Sequence, residues 1–184
     1  GETAIRDTLA GMLQAEDLIL DKDAIYLPPF YHAECGTSRR LRDLAESTGR
    51  SLFDGLFDPS SLTAETGIEY DEVQLAAIRQ AVTSKVMVLT GGPGTGKTTI
   101  LNAIIQVFAE NKAKILLAAP TGRAAKRMSE AIGREARTIH RLLEYTPKDD
   151  GFARNEDNPL ACGLLVVDEA SMMDTMLAYH LLKA

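Results

Sequence analysis

The stretch VLTGGPGTGKTTI, Val88 to Ile100, decides how the rest of this chain is read. An apolar run from Val86 to Leu89 leads into it and predicts a buried parallel strand. Beyond Lys97 the string TTILNAIIQVFAENK sets Ile100, Ile104, Val107 and Phe108 at helical spacing. Between the two lies Gly91-x-x-x-x-Gly96-Lys97-Thr98, the full P-loop pattern in the flanking context it requires. Glycine lets backbone N–H groups turn inward and approach phosphate oxygens with no Cβ in the way. The helix starting near Lys97 points the positive end of its dipole at the same anion. The competing reading is a turn that merely joins strand to helix. With Gly at about 7% of ordinary sequence, the whole pattern arises by chance in roughly one chain of this length in a hundred or fewer. The loop is therefore read as a nucleoside triphosphate cradle formed by Gly92, Pro93, Gly94, Thr95, Gly96, Lys97, Thr98 and Thr99. Lys97 is placed to reach the β- and γ-phosphates, and the Thr98 hydroxyl to ligate Mg2+.

A second, acidic element completes such a cradle. LLVVDEAS supplies a four-residue apolar strand, Leu164 to Val167, that ends in Asp168 and Glu169. Ligand crevices of parallel sheets lie at the carboxyl ends of the strands, which brings both carboxylates towards the phosphates. Asp168 is the candidate Mg2+ ligand, acting through the ion's water shell. Glu169 is the candidate to orient or deprotonate an attacking water. Read alone, Asp-Glu after an apolar run is as often a strand end with solvated charges; downstream of a P-loop the functional reading prevails. ATP and Mg2+ are the expected ligands, and Lys97, Asp168 and Glu169 the expected catalytic groups.

Length and composition bound the rest. The 184 residues fit one medium domain, or one domain with a smaller module. Apolar content of 45% and charged content of 25% are ordinary globular values. Cys35 and Cys162 lie far apart, with no CxxC spacing and no His cluster. That argues against a disulfide framework or a metal-binding cluster and fits a reducing, cytoplasmic setting. No stretch approaches the roughly eighteen apolar residues of a membrane span. The net charge of −6 gives no global support for nucleic-acid binding, so such support must be local. Residues 1–69 carry six basic side chains against thirteen acidic ones. Residues 121–141 reverse this, with Arg123, Lys126, Arg127, Arg134, Arg137 and Arg141 against only Glu130 and Glu135.

The composition shifts near FDGLFDPSSLTAETG, Phe53 to Gly67, a Gly-, Pro-, Ser- and Thr-rich stretch that reads as a linker. The expected organisation is a small module at 1–52, a linker at 53–69, and an ATP-binding lobe at 70–184. In the module, residues 3–16 read as a helix, LILDKDAIYLP as a hairpin turning near Asp21-Lys22-Asp23, and HAECGTSRRLRDLAES as a second helix. Helix, hairpin, helix is a shape used on DNA, but the acidic balance favours a packing or spacer role.

Two further segments point towards the kind of ATPase. YDEVQLAAIRQAV, Tyr70 to Val82, reads as an amphipathic helix, and Gln74 on it offers the donor and acceptor needed to read the N6 and N7 edge of adenine. LLAAPTGRAAKRMSEAIGREARTIHRLL, Leu116 to Leu143, opens as a buried strand ending at Pro120. Thr121 and Gly122 follow, where a hydroxyl and backbone N–H groups could take a nucleic-acid phosphate, with a basic helix behind them. Taken singly, a solvated Gln and a solvated basic face are the commoner readings; their order along the chain is what joins them.

In that order, Gln74, GGPGTGKTT, APTGRAAKR, TIHRLL and VVDEAS resemble the motifs of superfamily-one DNA helicases of the RecD/TraA type, relatives of the exodeoxyribonuclease V alpha subunit. The resemblance runs from Tyr70 to the end, and AIYLPPFYHAE is more weakly similar to the region preceding the motor. It implies an α/β fold, a RecA-like P-loop three-layer sandwich with a mostly parallel sheet, preceded by a small helical module with a β-hairpin. It also implies an ATP-dependent motor moving 5′ to 3′ along single-stranded DNA in recombination and repair. Gln74 takes the adenine role, Pro120, Thr121 and Arg123 match one DNA-contacting motif, and Thr138 and His140 match the next. His140 also admits a core-packing role. Residues 144–161 fall where relatives carry a small duplex-splitting hairpin, and KDDGF supplies an Asp-Gly turn signal; an ordinary surface hairpin is the alternative.

Relatives continue into a second RecA-like lobe carrying the arginines that complete the ATP site, and partner subunits are a further implication. The 184 residues alone are therefore expected to bind nucleotide, to hydrolyse it very slowly and not to unwind DNA. The rival readings are a P-loop ATPase of the AAA+ loader or transporter type, and a nucleotide-binding interaction module. A transporter ATPase would carry an LSGGQ-like stretch, which is absent, and PTGRAAKR with TIHRLL argues against a loader.

Overall fold

The computed structural model describes residues 1–48, 53, 62, 67–92, 94–148 and 151–184. Pro93, most of the expected linker at 53–69, and residues 149–150 of the expected Asp-Gly turn lie outside the described residues.

The chain opens with α1 (Glu2–Gln14), a hairpin of β1 (Ile19–Asp21) and β2 (Ala24–Tyr26), and α2 (Pro28–Glu46). Lys22 takes φ 54° in the two-residue connection that pairs Asp21 with Ala24. Two prolines open α2, where a missing N–H costs no intrahelical bond. The lobe begins with α3 (Glu72–Thr83) and α4 (Lys97–Glu110), continues through β3 (Ile115–Ala119), α5 (Gly122–Ile132), β4 (Ala136–Thr138) and α6 (Ile139–Leu142), and carries a short antiparallel pair, β5 (Tyr145–Thr146) and β6 (Gly151–Phe152). Strand β7 (Leu164–Val167), a 3-10 turn at Ala170–Met172 and α7 (Thr175–Lys183) complete it.

The central sheet is parallel, in the order β4-β3-β7. Side chains of a strand alternate between faces, and here the two sets are covered by different helices. Leu117 packs with Ile105 of α4 and Met128 of α5, joined by Ile115, Leu164 and Val166. Leu116, Ala118, Leu165 and Val167 pack instead with Leu142 of α6 and with Leu177 and Leu181 of α7. Helices on both faces of a parallel sheet make the α/β sandwich expected from the sequence. A third cluster joins Ile78 and Val82 of α3 to Ile100, Ile104, Val107 and Phe108 of α4. Leu62 is buried in it, and the Phe53 ring meets Phe108 edge to face at 5.0 Å.

One expected strand does not form. Val86 to Leu89 lies outside every ladder, and Val88 is 81% exposed. Leu89 nevertheless packs on the α3–α4 cluster. An extended segment becomes a strand only when a neighbouring backbone takes its hydrogen bonds, and among the described residues the sheet stops at β7.

Helix α2 lies along α7 and carries the module on the lobe. Gly36 faces Tyr179 so closely that an added Cβ would collide with the ring.

Candidate functional site

The sheet's carboxyl edge collects three of the sequence motifs in one layer. Ala119 is level with Thr138, and Ala118 with Val167. The residues that follow, Pro120-Thr121, Ile139-His140 and Asp168-Glu169, therefore leave the sheet side by side. Asp168 is tied there by its N–H, which donates to the Ala118 carbonyl at 3.0 Å. Helix α4 joins β3 through a short turn and so runs against it, which puts its Lys97 end towards the same edge. Leu101, one turn into α4, packs in the cluster that holds Val166, two residues before Asp168.

The glycine loop is shaped by its own backbone. Gly94 and Gly96 both take φ 77°, left-handed values that residues with a Cβ rarely adopt. Gly96 is the N-cap of α4, and its carbonyl accepts from Ile100 N–H at 2.9 Å. The Lys97 ammonium donates to the carbonyls of Gly91 and Gly92, both at 2.6 Å, and Thr95 Oγ1 donates to Gly92 at 2.9 Å. Thr98 and Thr99 follow in the first turn, Thr98 being exposed. A Cβ on Gly91 would lie 2.7 Å from Thr95 Oγ1, so a larger residue there would displace the Thr95 hydroxyl from its bond to Gly92.

Gln74 sits at the start of α3 with its two ends in different employment. Its Oε1 accepts from Asp71 N–H at 3.1 Å, while Asp71 Oδ1 accepts from Gln74 N–H at 2.8 Å, a reciprocal capping box. Its Nε2 faces the P-loop, 2.6 Å from where a Cβ on Gly96 would stand. Asp71-x-x-Gln74 is a legible capping signature, and Asp71 was not among the residues singled out from the sequence.

Asp168 and Glu169 are both exposed. The Asp168 carboxylate accepts from Glu169 N–H at 2.9 Å, and Glu169 takes φ 52° and ψ 38°. Among the described residues no group of three or more His, Cys, Asp or Glu side chains could cage a metal ion. An ion here would draw on the Thr98 hydroxyl, the Asp168 carboxylate and phosphate oxygens, a donor set that suits Mg2+ with a nucleotide. The residues thus fit Mg·ATP.

The candidate nucleic-acid residues double as helix caps. Thr121 Oγ1 accepts from Ala124 N–H at 3.2 Å and caps α5; Thr138 Oγ1 accepts from Arg141 N–H at 3.2 Å and caps α6. An accepting hydroxyl keeps its own proton to donate. Pro120 is half-buried beside them, and Arg123 is exposed near the start of α5. The positive charge is partly spent on neighbours, since Arg137 pairs with Glu135 at 2.8 Å and Lys126 approaches Glu130 at 3.9 Å. The Arg137 pair lowers the Glu135 carboxyl below its ordinary range and raises the guanidinium. Among the described residues Arg123, Arg127, Arg134 and Arg141 carry no ion pair. His140 is exposed rather than core-facing, and its ring stands 5.7 Å from Tyr145 and 5.8 Å from Phe152 of the β5–β6 pair.

Comparison with known proteins finds relatives over most of the chain. The AAA domain family matches residues 74–184. The chain is 35% identical over 178 residues to the ATP-dependent RecD2 DNA helicase of Deinococcus radiodurans, covering 94% of this chain and 24% of that protein. It is 30% identical over 191 residues to the RecBCD enzyme subunit RecD of Buchnera aphidicola subsp. Schizaphis graminum, covering 91% of this chain and 31% of that one. The ATP-dependent DNA helicase dda of Enterobacteria phage T4 is 40% identical over 95 residues, or 48% of this chain and 22% of its own. The chain thus spans between a fifth and a third of the length of these relatives.

Proposed function

Because this chain belongs to the AAA domain family over residues 74–184, we propose that it is the ATP-binding motor lobe of an ATP-dependent DNA helicase that moves 5′ to 3′ along single strands. Recombination and repair and a cytoplasmic setting belong to the same reading, and partner subunits are supported by the relative named as a RecBCD subunit. The observation that carries it is the shared layer at the sheet's carboxyl edge, where Thr138 ends β4 and Thr121 and Asp168 follow the ends of β3 and β7.

In this reading the Lys97 ammonium exchanges the Gly91 and Gly92 carbonyls for phosphate oxygens, and the N–H groups at the start of α4 point at the same anion. Gln74 turns its amide nitrogen to the base while its carbonyl stays in the Asp71 cap. Thr98 and Asp168 hold Mg2+, which supplies neutralisation of charge on the phosphates. Glu169 orients a water towards the γ-phosphate and receives its proton. Pro120, Thr121, Arg123, Thr138 and His140 face a single strand, through hydroxyl and guanidinium donors to phosphate. A second RecA-like lobe contributes the arginine finger, worth ~10³–10⁵ in rate, so the 184 residues alone turn over ATP very slowly.

Two titrations of the 184-residue chain test the reading. Calorimetry with ADP and Mg2+ is expected to give binding heat, and silence there would remove the ATP site. A fluorescent single-stranded oligonucleotide is expected to bind with affinity that falls steeply with salt, as phosphate contacts require. No binding of the oligonucleotide would favour a nucleotide-binding interaction module without a motor role.

A further inference from the structure

We propose that the N-terminal module is a strut that sets the position of the 144–161 excursion, with Arg40 as its positioning residue. The contact begins at Gly36, in the middle of α2. Glycine there costs the helix about 1 kcal/mol against alanine, and what it permits is the close approach of the Tyr179 ring. One turn further on, the Arg40 guanidinium lies over that ring, 5.9 Å from its centroid, and pairs with Glu156. A single side chain of the module thus touches both α7 and the excursion.

Glu156 belongs to a stiff piece of chain. Asn155 and Asn158 exchange backbone hydrogen bonds at 3.2 Å, and Asn155 Oδ1 accepts from the N–H groups of Asp157 and Asn158. Arg154 clips this turn to the start of the excursion, donating to Glu144 Oε1 at 2.7 Å and to Asn158 Oδ1 at 3.2 Å. On the inner side the rings form a continuous line. Tyr179 neighbours His180, His180 lies 4.7 Å from Phe152, Phe152 lies 5.2 Å from Tyr145, and Tyr145 reaches His140. The excursion is therefore gripped from outside through Arg40 and from beneath through α7. The Arg40 grip depends on how α2 lies on α7, whereas the His180–Phe152 contact is made by α7 itself.

The consequence for strand separation rests on the helicase reading; the strut itself does not. The test uses the full-length protein with Arg40→Glu, Glu156→Arg and both together. Each single reversal is expected to lower duplex unwinding roughly fivefold, the size of coupling common between contacting pairs, and to speed amide hydrogen exchange at residues 153–158. ATP turnover stimulated by single-stranded DNA is expected to stay within about twofold, and the double reversal to restore unwinding and exchange. Unwinding unchanged in the single reversals, no rescue in the double, or ATP turnover falling in parallel with unwinding would each overturn the strut. A wild-type protein that neither hydrolyses ATP nor unwinds DNA overturns the helicase reading instead. Hydrogen exchange then still decides the strut, which fails if the single reversals leave 153–158 unchanged.

Discussion

Helices α1 and α4 are nearly the same length and are held in opposite ways. Helix α4 buries Ile100, Ala103, Ile104, Ile105, Val107 and Phe108, whereas α1 buries no residue and α2 only Ala33. The module leaves Ile5, Leu20, Ile25, Leu27 and Phe30 exposed. The lobe is thus stabilised by apolar burial, spread over many side chains. The module keeps its shape through local hydrogen bonds and its place through the packing of α2 along α7.

The strongest way to break this contrast is to truncate one apolar side chain on each side. Phe108 is 6% exposed in the α3–α4 cluster, and Phe108→Ala is expected to cost about 3–5 kcal/mol in denaturant unfolding. Ile5 is 63% exposed, and Ile5→Ala is expected to stay within about 0.5 kcal/mol. Similar losses at both would show that the module has a core of its own. Next in size is Lys97→Ala. Charge-assisted bonds contribute about 1.5–3 kcal/mol each, so ADP affinity measured by calorimetry should fall by about a hundredfold. The melting temperature should hardly move, because the partners of Lys97 are carbonyls of an exposed loop. A large drop in melting temperature would make Lys97 a structural residue first. Thr138→Ala removes the cap of α6 and should cost about 1 kcal/mol. Thr138→Ser, which keeps the accepting oxygen, should recover most of it in the same unfolding assay.

How much of this was legible differs by the range of the interactions concerned. The glycine loop that opens α4 and the strand that ends at Asp168-Glu169 were legible because each is written within a few consecutive residues. The caps were legible too: Asp71-x-x-Gln74 is a capping box on its face, yet the adenine role drew attention to Gln74 alone. The run Val86 to Leu89 has strand composition, but a strand needs a partner, and composition carries no information about one. His140 was assigned a DNA role with core packing as the alternative, and its contact with Tyr145 and Phe152 depends on a hairpin closing over it. Arg40 and Glu156 are separated by most of the chain, and nothing local marks either as a partner of the other. Gly36 was visible as a glycine inside a helical pattern; Tyr179 as its reason was not.

The subtlest expected effect comes from the place where module, α7 and hairpin meet. His180 lies partly buried there, between the Phe152 and Tyr179 rings. Burial pushes its pKa below the ordinary histidine value, Lys183 pushes the same way, and Asp174 opposes them. The folded state therefore binds this proton less readily than the unfolded chain, whose histidine titrates near 6.5. The stability linked to neutral His180 is fully present above that pH and is lost as pH falls from about 6.5 towards the folded value. Carboxylates ordinarily titrate lower, near 4, so unfolding free energies between about pH 7.5 and 5.5 isolate the histidine. Wild-type stability should decline across that window, and His180→Gln should flatten the decline while leaving the acid transition at lower pH in place. An equal slope in the variant would clear His180 as the source of the decline. That outcome would also separate the hairpin's packing on α7 from any proton-linked loosening, and leave Arg40 as the more sensitive handle on the junction.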